Sequence, residues 1–187
     1  PDLLFPARSR LNAYNKHMHL KNAADELGMK WQTLYWHLQK IGFKVTGNKE
    51  LYGSKKDKLA SKSELDFKRI VPFAKSMNDE KFQSKYDFEV SGATVDVKSS
   101  LKNYQNKKKT VSRFAFSVKK QSSYVDYIVC FGYEAESIDV ILLIPNNVFN
   151  GMHTISVSLT KSIYDKYKVS EDGLFNFFKD LKCEIKY

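Results

Sequence analysis

From position 20 to position 43 the apolar residues recur every three or four places, the spacing of a helix with one buried face. From position 86 onward they alternate or gather in short β-branched blocks, the habit of strands. The stretch 47–62 between these regions is polar and rich in lysine. The pattern therefore predicts a small helical head with a basic linker over 1–60, including a hairpin at 43–52, and an α/β body over 61–187. No internal repeat or low-complexity tract interrupts either part.

Within the body, Ser61-Lys62-Ser63-Glu64 has the S-x-x-E form of a capping box. It predicts a helix over 63–77 with Leu65, Ile70, Phe73 and Met77 as the apolar stripe, kinked or split at Pro72. Strands are predicted at 85–90, 93–98, 113–118, 127–131 and 139–144, with a sixth at 153–159. A short turn or helix is expected at 119–124, and a closing helix at 171–181 behind a Ser170 cap. This order belongs to the α+β class, with a central mixed sheet.

In the head, Ala23 and Ala24 permit two helices to pack closely, and Gly28 suits the positive φ of a turn. Leu27, Met29, Leu34, Leu38 and Ile41 are expected to form one buried stripe. That leaves Lys30, Trp31, Gln32, Thr33, Trp36, His37 and Lys40 on the open face of the second helix. The segment resembles the helix-turn-helix of DNA-binding proteins, whose second helix presents its N-terminal residues to base edges. In that frame Gln32 suits adenine, Thr33 a phosphate or a thymine methyl, and Lys30 and Lys40 the backbone.

Charge agrees with such a partner. Lys and Arg outnumber Asp and Glu by 31 to 21, a formal net charge of +10, which favours a polyanion or an anionic membrane surface. No apolar run approaches the ~18 residues of a bilayer span, and residues 1–20 lack the apolar centre of a signal peptide. A cytoplasmic protein acting on nucleic acid, with no membrane role, is the expectation. Cys130 and Cys183 form no CxxC pair and read as small core residues; the four histidines are scattered, without zinc-ligand spacing.

The chemistry concentrates in residues 86–98. Ser91-Gly92 is a reverse-turn signal, and a symmetric loop there sets Val90 against Ala93, Phe88 against Val95, and Asp87 against Asp96. Opposed residues lie about 4.5–5.5 Å apart at Cα, where like charges repel unless compensated. A divalent cation is the natural compensation. Asp96 and Lys98 share one face, while Phe88, Val90, Val95 and Val97 turn to the other. Mg²⁺ takes oxygen ligands and keeps several waters, so Asp87, Asp96 and the main-chain carbonyl of Val97 suit it, with Mn²⁺ as a substitute. Lys98 then stands beside an attacking water or the growing phosphate charge. With a bulge in the hairpin, Glu89 becomes an alternative to Asp87.

Asp87, then Asp96, one residue and Lys98 resembles the D…(D/E)-x-K signature of the PD-(D/E)XK nuclease superfamily. The resemblance covers roughly residues 61–144. It implies a restriction-endonuclease-like αβββαβ core, with Glu64 as the acid often carried by the preceding helix and 113–118 and 127–131 as the next two strands. Tyr86 stands where the family commonly has proline, and Asp96 where glutamate is commoner; neither departure removes a ligand. Glu64 has a structural alternative as the partner of its capping box. Lys107, Lys108 and Lys109, in the basic run after the catalytic strand, suit DNA phosphates. Lys119 and Gln121 are weaker candidates for the scissile phosphate.

Together these features imply a Mg²⁺-dependent endodeoxyribonuclease of restriction or homing type acting on double-stranded DNA. Cutting both strands calls for a homodimer or a second nuclease subunit. The alternative class is a DNA-binding regulator or architectural protein with a silent nuclease fold; a third is a protein of RNA or branched DNA, read by shape.

Overall fold

The amphipathic spacing of the head resolves into three mutually packed helices: α1 (Phe5–His17), α2 (Leu20–Glu26) and α3 (Trp31–Lys40). This computed structural model describes residues 5–43, 45, 54–77, 84–104, 112–118, 125–158 and 160–184. Two compact units emerge, Pro1–Lys58 and Leu59–Tyr187.

In the first unit Ala23 and Ala24 are buried where α2 meets its neighbours, and Gly28 turns the chain at φ 63° before α3. The stripe differs from the expected one. Leu34 and Leu38 are fully buried, Leu27 and Met29 only partly, and Ile41 is 48% exposed. Ile41 caps the C-terminus of α3, after which Gly42 reverses the chain at φ 74°. The missing packing comes from α1, which the periodicity did not reveal: Ala13 and Tyr14 are buried, and the Tyr14 ring meets Phe43 edge-on at 5.6 Å. Apart from Phe43 and Val45, the hairpin expected at 43–52 lies outside the described residues.

A long helix, α4 (Lys55–Ile70), begins well before the expected 63. Its cap is Ser54: Asp57 N–H donates to Ser54 Oγ, and Ser54 N–H and Oγ–H both donate to Asp57 Oδ2 at 2.9 and 2.7 Å. This reciprocal box replaces the one at Ser61 and Glu64, because nothing in 55–60 breaks a helix and Asp57 supplies the N3 acid. The polar stretch around 55–62 is therefore helix rather than linker. Ser63, Phe67 and Ile70 form the buried face, and Leu65 is 59% exposed, off the expected stripe. Pro72 ends the helix instead of kinking it. Phe73 and Met77 follow outside it, flanking the short strand β1 (Lys75–Ser76).

A six-stranded mixed sheet runs in the order β1, β2 (Phe88–Val90), β3 (Ala93–Leu101), β6 (Tyr127–Glu134), β7 (Ser137–Pro145) and β9 (Lys168–Val169). β3 and β6 are parallel and the other pairs antiparallel. β4 (Asn103–Tyr104), β5 (Ser112–Ser117) and β8 (Thr154–Ser158) make a second, antiparallel sheet. The strand expected at 113–118 thus leaves the central sheet. Alternation identifies a strand with Phe114 and Phe116 inward but not its partner, here β8, where Phe114 faces Val157 and Phe116 faces Ile155. Short α5 (Asn146–Phe149) precedes β8, and α6 (Glu171–Glu184) closes the chain.

Two cores flank the central sheet. On one face Phe88, Val90, Val95, Val97, Val129 and Phe131 pack against Phe67 of α4 and Leu174 and Phe178 of α6. On the other, Ile128, Cys130, Leu142 and Ile144 meet the inward residues of β5 and β8. Each fully buried Phe contributes on the order of 2 kcal/mol. Gly132 sits where the β6–β7 register shifts; a Cβ there would lie 2.6 Å from Val140 Cγ1 and 2.9 Å from the Phe114 ring.

Candidate active site

The β2–β3 turn has Ser91 at φ 52° and Gly92 at φ 81°, the two positive values of a two-residue type I′ loop. It fixes the register Val90–Ala93, Glu89–Thr94 and Phe88–Val95. The ladder departs from this register at Asp87, whose N–H donates to the Val95 carbonyl at 3.1 Å although Phe88 already stands opposite Val95. An extra residue at the strand entrance is a bulge, so Asp87 is not the ladder partner of Asp96.

The bulge brings the Asp87 carboxylate across onto β3, where Oδ2 accepts the Val97 N–H at 2.8 Å, between Asp96 and Lys98. The Met77 N–H, just past β1, holds the Asp87 carbonyl at 2.9 Å. On the other side of β3, Asp126 Oδ2 accepts from both Thr94 N–H and Oγ1–H at 2.8 Å, which clamps the start of β3 to the start of β6. Sequence reading missed this clamp; an acid just before the strand at 127 was its only signal.

Asp96 is 3% exposed. Burial, then the Asp87 charge, and more weakly Glu64 push its carboxyl from 3.8 up to about 7, while Lys98 opposes the rise. Lys98 Nζ lies 2.5 Å from Asp96 Oδ2, an ion-pair distance. The Lys98 ammonium pairs with this carboxylate without overcoming the burial and the neighbouring acids that raise it.

Glu64 reaches this neighbourhood because α4 is tightly anchored. Phe67 is buried against Phe88 at 4.8 Å, the Tyr133 hydroxyl donates to Asp66 at 2.8 Å, and Arg69 forks onto Glu171 of α6 with two 2.8 Å bonds. Glu64, Asp87 and Lys98 each act electrostatically on Asp96. The Val97 side chain is in the core, leaving only its main chain for the site. Glu89 lies across from Lys75 and Thr94 in the ladder.

Among the described residues no group of three or more His, Cys, Asp or Glu side chains is arranged as a metal cage. The acids at Asp96 still fit a hard divalent ion of few protein ligands: they are oxygen donors, and Asp87 and Glu64 add negative charge at a buried carboxylate that Lys98 offsets in part.

In the first unit Lys30 is the N-cap residue of α3. Gln32, Thr33, Trp36 and Lys40 are exposed, while Trp31 and His37 are partly buried. Lys40 Nζ stands 5.1 Å over the Trp36 ring, which meets His37 edge-on at 4.9 Å. Lys107, Lys108, Lys109, Lys119 and Gln121 lie outside the described residues, as does the turn or helix at 119–124. Cys130 is a buried free thiol.

The chain matches no family model and no curated protein. Among solved structures it is similar to a bacterial homing endonuclease, I-Ssp6803I, at 16% identity and a TM-score of 0.43, covering 71% of this chain and 94% of that one.

Proposed function

We propose that the chain is a Mg²⁺-dependent endodeoxyribonuclease of the PD-(D/E)XK kind, which cuts double-stranded DNA and recognises it through α2 and α3 as a helix-turn-helix. The observation that carries this reading is Asp96: a carboxylate raised towards neutrality first by burial, then by Asp87 and more weakly by Glu64, with a lysine two residues on along the same strand. A perturbed acid grouped with other carboxylates is expected where a site does chemistry. The net charge of +10 and the exposed polar face of α3 support a DNA partner.

In this reading Asp87, Asp96 and the Val97 carbonyl hold the ion, with Glu64 at its margin. The bound ion supplies Lewis acidity at the scissile phosphate and lowers the pKa of water. Asp87 is oriented by its bond to the Val97 N–H, and burial keeps Asp96 from drifting into solvent. Lys98 orients the attacking water and offsets the charge that grows on the phosphate. The restriction or homing role, and a homodimer or second subunit for double-strand cutting, belong to the same proposal. Among the described residues no helix is long and apolar enough to cross a membrane.

One observation favours the silent DNA-binding alternative: the close Lys98–Asp96 contact could be a structural ion pair. Against it stand Asp87 and Glu64, whose charges add to burial in raising the Asp96 carboxyl while Lys98 lowers it. Supercoiled plasmid at low salt separates the readings. Wild-type protein with Mg²⁺ or Mn²⁺ is expected to give nicked and linear DNA, and EDTA or Asp96→Asn to give none. Wild-type protein that binds the plasmid and leaves it intact with either metal would establish the silent reading.

A further inference from the structure

Between α1 and α3 lies a recess of about 210 Å³ lined by Ala7, Arg10, His37, Leu38, Lys40 and Ile41. Its walls combine an apolar base with three basic side chains, and no acid is among the lining residues. Arg10 comes from α1; His37 and Lys40 come from the last turn of α3. The Nε of Arg10 is shielded from solvent and has no hydrogen-bond partner among the described residues. A guanidinium is a rigid fork of donors matched to phosphate, and a buried donor without an acceptor is a rarity in a settled fold.

The surroundings report the same positive field. Burial, then Arg10, then Lys40 hold the His37 imidazole below its ordinary pKa. The C-terminal end of α3 accounts for some attraction of His37 and Lys40 through its dipole. It does not account for Arg10, which belongs to another helix.

We infer that this recess is a phosphate pocket that grips one DNA backbone phosphodiester through Arg10, with Lys40 and His37 closing on the remaining oxygens. The inference rests on the DNA-binding reading of the first unit and extends it to α1. A phosphodiester fits better than a free anion because the recess adjoins the exposed Trp36 and Lys40 on the face of α3 assigned to the duplex. Contacts of this sort set position on the duplex without reading its sequence.

The test is anisotropy of the full-length chain on a labelled duplex in EDTA, over a salt series, with thermal melting of each variant. Arg10→Gln is expected to weaken binding roughly tenfold at low salt on any sequence, and to reduce the salt slope by about 0.9. Arg10→Lys keeps the charge and loses the fork, so it falls between. Should Arg10→Gln melt early, Lys40→Met, on an exposed position, carries the same expectation. Unchanged affinity and slope in these variants, with wild type binding normally, would overturn the pocket and leave the DNA reading standing. Inorganic phosphate that stabilises wild type but not Arg10→Gln, with duplex affinity equal in both, would likewise overturn it in favour of a free-anion site. A wild-type chain that binds no duplex would overturn the DNA reading itself, and the pocket with it.

Discussion

Replacing Asp96 with asparagine in metal-free protein is expected to stabilise the second unit at alkaline pH. The carboxyl is raised from 3.8 to about 7 by burial first and by Asp87 next. Between those values the folded chain holds a proton that the unfolded chain has released. Stability therefore falls as pH rises from about 4, and the full cost stands above about 7. At roughly 1.4 kcal/mol per pH unit the displacement corresponds to about 4 kcal/mol. Asparagine removes that cost, in which the opposing pull of Lys98 is already contained. The net gain is about 4 kcal/mol at most, or a Tm rise of up to roughly 8–16 °C for a chain of this size. Thermal melts in EDTA at pH 8 and pH 4 measure it. The variant should be the more stable at pH 8 and lose its whole advantage by pH 4. An Asp96→Asn protein less stable than wild type at pH 8 would show that the Lys98 contact is a net structural ion pair, and the reasoning would fail.

Two further outcomes follow from the same geometry. Lys98→Met should leave metal uptake intact and slow single-turnover cleavage by about 10²–10³-fold, since it removes charge stabilisation at the transition state and no metal ligand; cleavage within a few-fold of wild type would remove Lys98 from the chemistry. Gly132→Ala should cost about 1–3 kcal/mol by forcing a methyl against Val140 and Phe114, read as a lower denaturation midpoint with an unchanged slope.

The reach of the sequence is clearest in the β2–β3 hairpin. Ser91-Gly92 determined turn type and register for three residue pairs, because a two-residue loop with two positive φ values admits little else. The same logic misplaced Asp87 by one position. A bulge depends on how the strand entrance is held, here by Met77 from β1, and β1 was itself invisible at two residues. The carboxylate still arrived beside Asp96, by bonding to the Val97 N–H. Capping shows another limit: Ser54/Asp57 and Ser61/Glu64 both have the form of a box, and only the absence of a breaker between them lets the earlier one start α4. α1 escaped detection because only Ala13 and Tyr14 of its described side chains are buried, too few for a periodic signal. The partner of β5 was beyond reach for a different reason, since pairing between distant strands is decided by tertiary packing.

Counting free Mn²⁺ by its electron paramagnetic resonance signal, as protein is added at neutral pH, tests most directly whether the acids around Asp96 hold a divalent ion. Wild-type protein should take up one ion per chain that Asp96→Asn and Asp87→Asn fail to take up. Equal uptake by all three proteins, or none by the wild type with a DNA duplex present, would contradict the account.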